Sequence, residues 1–335
     1  MSAACPFSGE KGEIMNREYK KSRVARRLTI CLAGLLACLL FSGCDYSWRD
    51  LWSRDNPKPN DELVVEKGDG EGEGDVIFQG AVEYTGQPHS GTDIYYVGKG
   101  ERKNYIIVID PGHQLRANTD LEPIGPGSDI TKMKVAGGAQ SAAGLTEYDL
   151  NLSVSLMLRD ILIQRGYSVV MIRETNEVDI SNAERAQIAN KYNAAAFIRV
   201  HANANTDTSI RGVQVLCQSP DNPFPCNKTY AESRLLSELM LDEYCNATDL
   251  RRLSIIEDDT MAGINFSNVP TAIVEMGFLS NEAESRSMET AFFRRNAAEG
   301  MANGIDAFIS EIAEESETHT SDTDTQFSTI DKMAE

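Results

Sequence analysis

Two of the four histidines in this chain stand in equivalent places. In Tyr105-Ile106-Ile107-Val108-Ile109-Asp110-Pro111-Gly112-His113 an unbroken apolar, β-favouring run meets a turn signal and ends at His113. In Ala195-Ala196-Phe197-Ile198-Arg199-Val200-His201-Ala202-Asn203 a mostly apolar run again delivers a histidine, His201. A lone histidine after a strand is more often a hydrogen-bonded structural residue than a ligand. Two at the carboxyl ends of strand-like runs point instead to a shared site, because open α/β sheets place their ligands there. Two carboxylates are presented similarly: Glu147 opens a helical pattern, and Glu275 follows the short apolar run 271–274. Each has a plain reading, Glu147 as a first-turn acid favoured by the helix dipole and Glu275 as a structural strand-end carboxylate. Together the four residues offer two imidazoles and a carboxylate, a usual catalytic zinc set with a fourth position for water. The remaining glutamate could take that water's proton.

Alternating elements must position these groups. After the strand ending at His113, apolar residues recur at helical spacing from Leu150 through Leu156, Leu158 and Ile161 towards Gly166. A strand follows at 167–172, then a helix at 181–192 with Ser181 as cap and Glu184 three residues on, then the strand into His201. Further strands are expected at 212–217 and 271–274, and helices at 230–245 and 291–312. The pattern predicts an α/β fold, a mainly parallel twisted sheet with helices on both faces, as a single catalytic domain at 104–312. Residues 114–146 are polar, rich in Gly and Pro, and longer than most loops in compact domains, which marks them as functional or mobile.

The flanks differ in character. The chain has 335 residues, 41% of them hydrophobic, which is ample for one core. Its formal charge of −19 argues against nucleic acid as a partner. At the start, the basic residues Lys20, Lys21, Arg23, Arg26 and Arg27 precede an apolar run at 28–41 that is short for a membrane-spanning helix. Leu40-Phe41-Ser42-Gly43-Cys44 resembles the lipobox of bacterial lipoproteins, with Phe41 where Leu is commoner. Residues 1–44 therefore read as a lipoprotein-like signal segment that places a lipid on Cys44, with an uncleaved anchor as the alternative. Either places the rest of the chain outside the cytoplasm, anchored to the membrane of the cell envelope. Residues 45–75 read as a flexible acidic tether, 76–103 as a short extension, and 313–335 as an acidic disordered tail.

Five blocks, in order, resemble the zinc-dependent N-acetylmuramoyl-L-alanine amidases of the amidase-3 family: Ile109-Asp110-Pro111-Gly112-His113; Gly144 and Glu147 with Asn151-Leu152; Glu184-Arg185-Ala186 with Ala189-Asn190; Val200-His201-Ala202-Asn203; and Val274-Glu275-Met276-Gly277-Phe278-Leu279-Ser280-Asn281. The resemblance implies that His113, Glu147 and His201 bind Zn2+ and that Glu275 is the general base. It implies hydrolysis of the amide between N-acetylmuramic acid and L-alanine, with peptidoglycan as the partner. Departures are Gln114, where relatives usually have Gly, Arg199, where a small residue is common, and the long 114–146 stretch. Two other readings remain open: a non-catalytic wall-binding or regulatory protein on the same fold, and a zinc peptidase. Asp110 is a candidate for orienting a ligand imidazole or for capping its turn. Beyond Cys44, Cys217 and Cys226 bracket a Pro-containing loop that a disulfide could close; the alternative is that these two and Cys245 are free thiols.

Overall fold

The computed structural model describes the backbone of residues 81–82 and 92–331 and the side chains of residues 92–314. The signal-like segment with Cys44, the tether and the β-like piece at 76–78 lie outside the described residues.

The apolar runs become a sheet. Its strands are β1 (Ala81–Val82), β2 (Thr92–Tyr96), β3 (Ile106–Pro111), β6 (Ser168–Arg173), β7 (Ala196–Asn203), β8 (Val213–Cys217), β9 (Arg252–Glu257) and β10 (Thr271–Phe278), in the order β1-β2-β6-β3-β7-β10-β8-β9. The centre, β6-β3-β7-β10, is parallel, while β2 and β8 run antiparallel to their inner neighbours β6 and β10. Strands buried on both faces read as continuous apolar runs, and β3 shows why. Ile107 and Ile109 enter the larger core on one face; Val108 enters the smaller core on the other. Helices α1 (Glu147–Gln164), α3 (Tyr230–Thr248) and α6 (Ala291–Asp331) cover the first face through Leu150, Val154, Leu236, Met240, Ile305 and Phe308. Helix α2 (Asn182–Lys191) covers the second with Ala186 and Ala189, and its start is closed by the capping box read from Ser181 and Glu184.

From β3 the chain crosses by α1 to β6, then returns by α2 to β7 on the other side of β3. This reversal opens a crevice at the carboxyl ends of β3 and β7.

Some elements differ from expectation. Residues 114–146 hold an antiparallel hairpin, β4 (Asn118–Pro123) with β5 (Thr131–Val135), whose residues alternate too weakly in hydrophobicity to announce strands. The edge strand β9 is likewise half polar, and the short helices α4 (Ala262–Asn265) and α5 (Glu282–Met288) flank β10. Helix α6 continues to Asp331, past the end expected near Ile312, where a disordered tail was expected. An α-helix satisfies its backbone within its own segment, so it can run beyond the apolar stripe that anchors it. Cys217, Cys226 and Cys245 are all free thiols, the first two buried.

Helices α3 and α6 approach closely where α6 carries Gly300 and Gly304: a Cβ on Gly304 would lie 2.8 Å from the Met240 Cα. Replacing Gly304 with Ile should therefore overpack this contact and lower stability by about 1–3 kcal/mol, read as a lower urea midpoint; an unchanged midpoint would show that the helices can separate without loss.

Candidate active site

His113 sits one turn beyond the end of β3 in a left-handed conformation, φ 60°, which costs a non-glycine residue energy unless its surroundings hold it there. Two buried arginines do so. Arg173 donates from Nε to the Pro111 carbonyl at 2.8 Å and from Nη2 to the Gly112 carbonyl at 3.0 Å. Arg185 donates to the carbonyls of Pro111 at 3.0 Å and His113 at 3.2 Å. Arg185 is itself set by Asp110, whose other oxygen accepts from Arg199 Nε at 2.8 Å. Burial alone would raise the Asp110 carboxyl, but Arg185, Arg199 and His201 hold it well below the usual carboxylate range. Among the described residues Asp110 thus makes no hydrogen bond to an imidazole; it braces the guanidinium that fixes the turn.

The turn brings His113 to Glu147 and His201. His113 Nε2 lies 3.0 Å from Glu147 Oε1, and His201 Nδ1 lies 3.1 Å from the same oxygen. The rings stand edge to face with centroids 4.9 Å apart. Gly112 is required by this approach, since a Cβ there would fall 2.2 Å from the His201 ring. Further bonds hold His113, Glu147 and the Gly112 backbone, while His201 Nε2 is buried with no hydrogen-bond partner among the described residues. His113 Nδ1 meets the Ala136 carbonyl at 2.9 Å, Ala139 N–H donates to Glu147 Oε2 at 2.8 Å, and Asn151 donates to the Gly112 carbonyl at 3.2 Å.

These contacts test whether a cation fits. A carbonyl can only accept, so Nδ1 of His113 carries the proton, and neutral His113 turns the Nε2 lone pair towards Glu147. His201 is pushed down to about 4 by burial and by the charges of His113 and Arg199, against Glu147, so it is neutral near pH 7. Burial would raise Glu147, but hydrogen bonds to His113 and His201, and their charge where they are protonated, hold it well below the usual carboxylate range. His113 Nε2 in the neutral ring and Glu147 Oε1 are thus two acceptors facing each other at 3.0 Å, an arrangement that a shared proton or a metal cation relieves. Three ligand atoms, one from each residue, lie within 4.8 Å of one another, and the set could hold a metal ion.

Glu275 on β10 is the register partner of His201 on β7, and parallel partners project to the same face. Burial first, then the charge of Glu147, raises Glu275 to about 8, with Arg199 opposing. Its Oε2 is buried without a hydrogen-bond partner among the described residues. All four candidates from the sequence are thus adjacent. Sequence reasoning missed the supporting roles of Arg173, the Ala136 carbonyl and the Ala139 amide. The charged Arg173 and Arg199, each ending or interrupting an apolar strand, were signals that could have pointed to buried polar partners.

A family model described as N-acetylmuramoyl-L-alanine amidase matches residues 107–307. An N-acetylmuramoyl-L-alanine amidase of Mycobacterium tuberculosis is 26% identical over 212 residues, covering 61% of this chain and 86% of that protein. The amidase AmiC of Neisseria meningitidis is 27% identical over 248 residues, covering 63% of this chain and 55% of that protein. In fold, the crystal structure of the N-acetylmuramyl-L-alanine amidase Ami1 from Mycobacterium smegmatis matches with a TM-score of 0.57 at 23% identity, covering 62% of this chain and 98% of that one.

The two shifted groups have opposite effects on the stability of the metal-free protein. His201, lowered from 6.5 to about 4, contributes stability above its ordinary value and loses it as pH falls. Glu275, raised from 4.5 to about 8, contributes stability at low pH and loses it as pH rises through the folded value. Of these two, only Glu275 acts between about pH 6.5 and 8. The urea midpoint of metal-free wild type should fall across that interval more steeply than that of Glu275→Gln; parallel profiles would show that Glu275 is not held protonated.

Proposed function

This chain belongs to the N-acetylmuramoyl-L-alanine amidase family, and from that premise we propose that it is a zinc-dependent peptidoglycan hydrolase whose ligands are His113, Glu147 and His201 and whose general base is Glu275. The observation that carries this reading is the convergence of His113 and His201 on one oxygen of Glu147 beside a glutamate with a raised pKa. Zinc held there would supply a Lewis acid to polarise the amide carbonyl and to make water acidic enough to attack at neutral pH.

The chain's own residues do the rest. The charge of Glu147 is one of the causes that raise Glu275, so Glu275 would fall towards the range where it can accept a proton if that charge were offset by a cation held at His113, Glu147 and His201. Glu275 then takes the proton of the attacking water and returns it to the departing amine. The bond broken joins the lactyl carbonyl of N-acetylmuramic acid to the nitrogen of L-alanine, which releases the stem peptide. The buried arginines around Asp110 keep the His113 turn in place while charge is redistributed at the site.

The substrate lies outside the cytoplasm, and we place the enzyme there as a lipoprotein held by a lipid on Cys44. No helix among the described residues is long and apolar enough to cross a membrane.

Digestion of purified peptidoglycan should release stem peptides beginning with L-alanine, lost on chelation and restored by zinc. Glu275→Ala should keep its zinc and lose turnover by at least about a hundredfold, whereas His113→Ala should lose the zinc. Full activity in Glu275→Ala would exclude this mechanism, and zinc-loaded protein that spares peptidoglycan but cleaves proteins would favour a peptidase. Cys44→Ala should move the protein from the membrane fraction to the soluble one; unchanged partitioning would remove the lipid anchor.

A further inference from the structure

Beyond Glu275 the sheet continues with β8, and the residue paired with Glu275 across β10 and β8 is Gln214. Paired residues share a face, so His201, Glu275 and Gln214 form one row at the same level of three adjacent strands. Gln214 is half-buried, and its amide orientation is fixed by a short chain of bonds. The backbone N–H of Ala204 donates to Asn203 Oδ1 at 2.8 Å, which makes Nδ2 the group that Asn203 turns towards Gln214. Asn203 Nδ2 donates to Gln214 Oε1 at 3.1 Å. The carbonyl of Gln214 is therefore occupied and its amide nitrogen is turned outward, where among the described residues it makes only a long 3.5 Å approach to the exposed Ser254 hydroxyl. An oriented donor beside the reacting centre calls for an acceptor.

Resting on the amidase reading above, we propose that Gln214 is a substrate-positioning residue that donates its amide N–H to a carbonyl of the leaving stem peptide. The direction follows from the proton transfer. Glu275 returns its proton to the departing nitrogen, so that nitrogen lies on the Glu275 side of the ligand triad. The next side chain along the row on that side is Gln214. A peptide leaving group carries its first carbonyl within one residue of the nitrogen and extends along the same face of β8. The muramoyl half of the substrate then lies towards His113 and Glu147. Asn203 acts through Gln214, by keeping its amide from turning over.

The test compares wild type with Gln214→Ala and Asn203→Asp on two zinc-loaded assays, N-acetylmuramoyl-tripeptide and N-acetylmuramoyl amide, whose leaving group is only ammonia. In Asn203→Asp the new acceptor should draw the Gln214 amide nitrogen to itself and turn its carbonyl outward, so both variants lose the same donor. Each should lose about ten- to a hundredfold in kcat/KM on the tripeptide, as for a deleted hydrogen bond in a partly buried site, with little change on the amide and unchanged zinc content. Calorimetry with the free tripeptide should show weaker binding to both variants by a similar factor. A loss that persists on the amide, or equal turnover and equal tripeptide binding in all three proteins, would overturn the assignment. Failure of wild type to cleave either substrate with zinc bound would instead overturn the amidase reading, and the tripeptide binding would still report on Gln214.

Discussion

The cluster of His113, Glu147 and His201 depends on a buried charge arrangement one layer beneath it. Strand β3 ends at Pro111, where the chain turns so sharply that the carbonyls of Pro111, Gly112 and His113 find no strand partner. A buried carbonyl without a donor is costly, and here the donors are the guanidiniums of Arg173 and Arg185. Charged donors make the stronger bonds, and each planar fork spans more than one carbonyl, so the turn is held at several points by two rigid groups. Burial and the nearby Arg185 lower Arg173 to about 9, still high enough to remain protonated near neutral pH. Asp110 then offsets part of the positive charge and is clasped from the other side by Arg199. Removing one member of such a cluster leaves a buried charge unmatched, which typically costs about 3–5 kcal/mol. The left-handed His113 is affordable because it sits on this support.

Two glutamates near one another are driven in opposite directions by their surroundings. Glu147 accepts from the Ala139 and Ala202 amides and lies within hydrogen-bond distance of both imidazoles, so the charged form is favoured despite burial. Glu275 has an oxygen with no hydrogen-bond partner among the described residues and feels the charge of Glu147, so the neutral form is favoured. Separation of this kind assigns roles: the carboxylate that stays ionised suits a ligand, and the one that exchanges a proton near neutral pH suits an acid and base. Sequence position could not make that distinction, because each glutamate simply opens or closes an element.

What the sequence disclosed and what it concealed follow from the same physics. The strands that bear His113, His201 and Glu275 are buried on both faces and so appear as apolar runs, and the fold class follows from their alternation with helices. The capping box at Ser181 and Glu184 is local chemistry and was legible for that reason. Hairpin β4–β5 was not, since Asn118, Thr119 and Asp120 in one strand and Lys132 and Lys134 in the other obscure any alternation. Nor could the sequence show that Asp110 serves arginines rather than an imidazole, because the partners lie 75 and 89 residues away. The backbone groups of Ala136 and Ala139 were invisible in principle: any residue type supplies the same carbonyl and amide.

That invisibility explains the length of the segment between His113 and Glu147. To fix the His113 ring, the chain must leave β3 and come back with a carbonyl at Nδ1, which it does at Ala136, 23 residues later. It must then present an amide to Glu147 from Ala139, eight residues before the helix that carries it. A slack loop could reach both places but could not hold them. The hairpin supplies stiffness, and its own fastenings reach back to the arginine cluster. Glu122 on β4 accepts from Ala183 N–H at the start of α2, and Asn182 donates to the Lys134 carbonyl while accepting from Arg199. Arg199 also grips Asp110. The ring of His113 and the turn beneath it are therefore fixed through one connected set of bonds. Between them runs Gly138 at φ 77°, where a Cβ would stand 3.1 Å from both Glu147 and His113, so a side chain there would strain the backbone and crowd both residues.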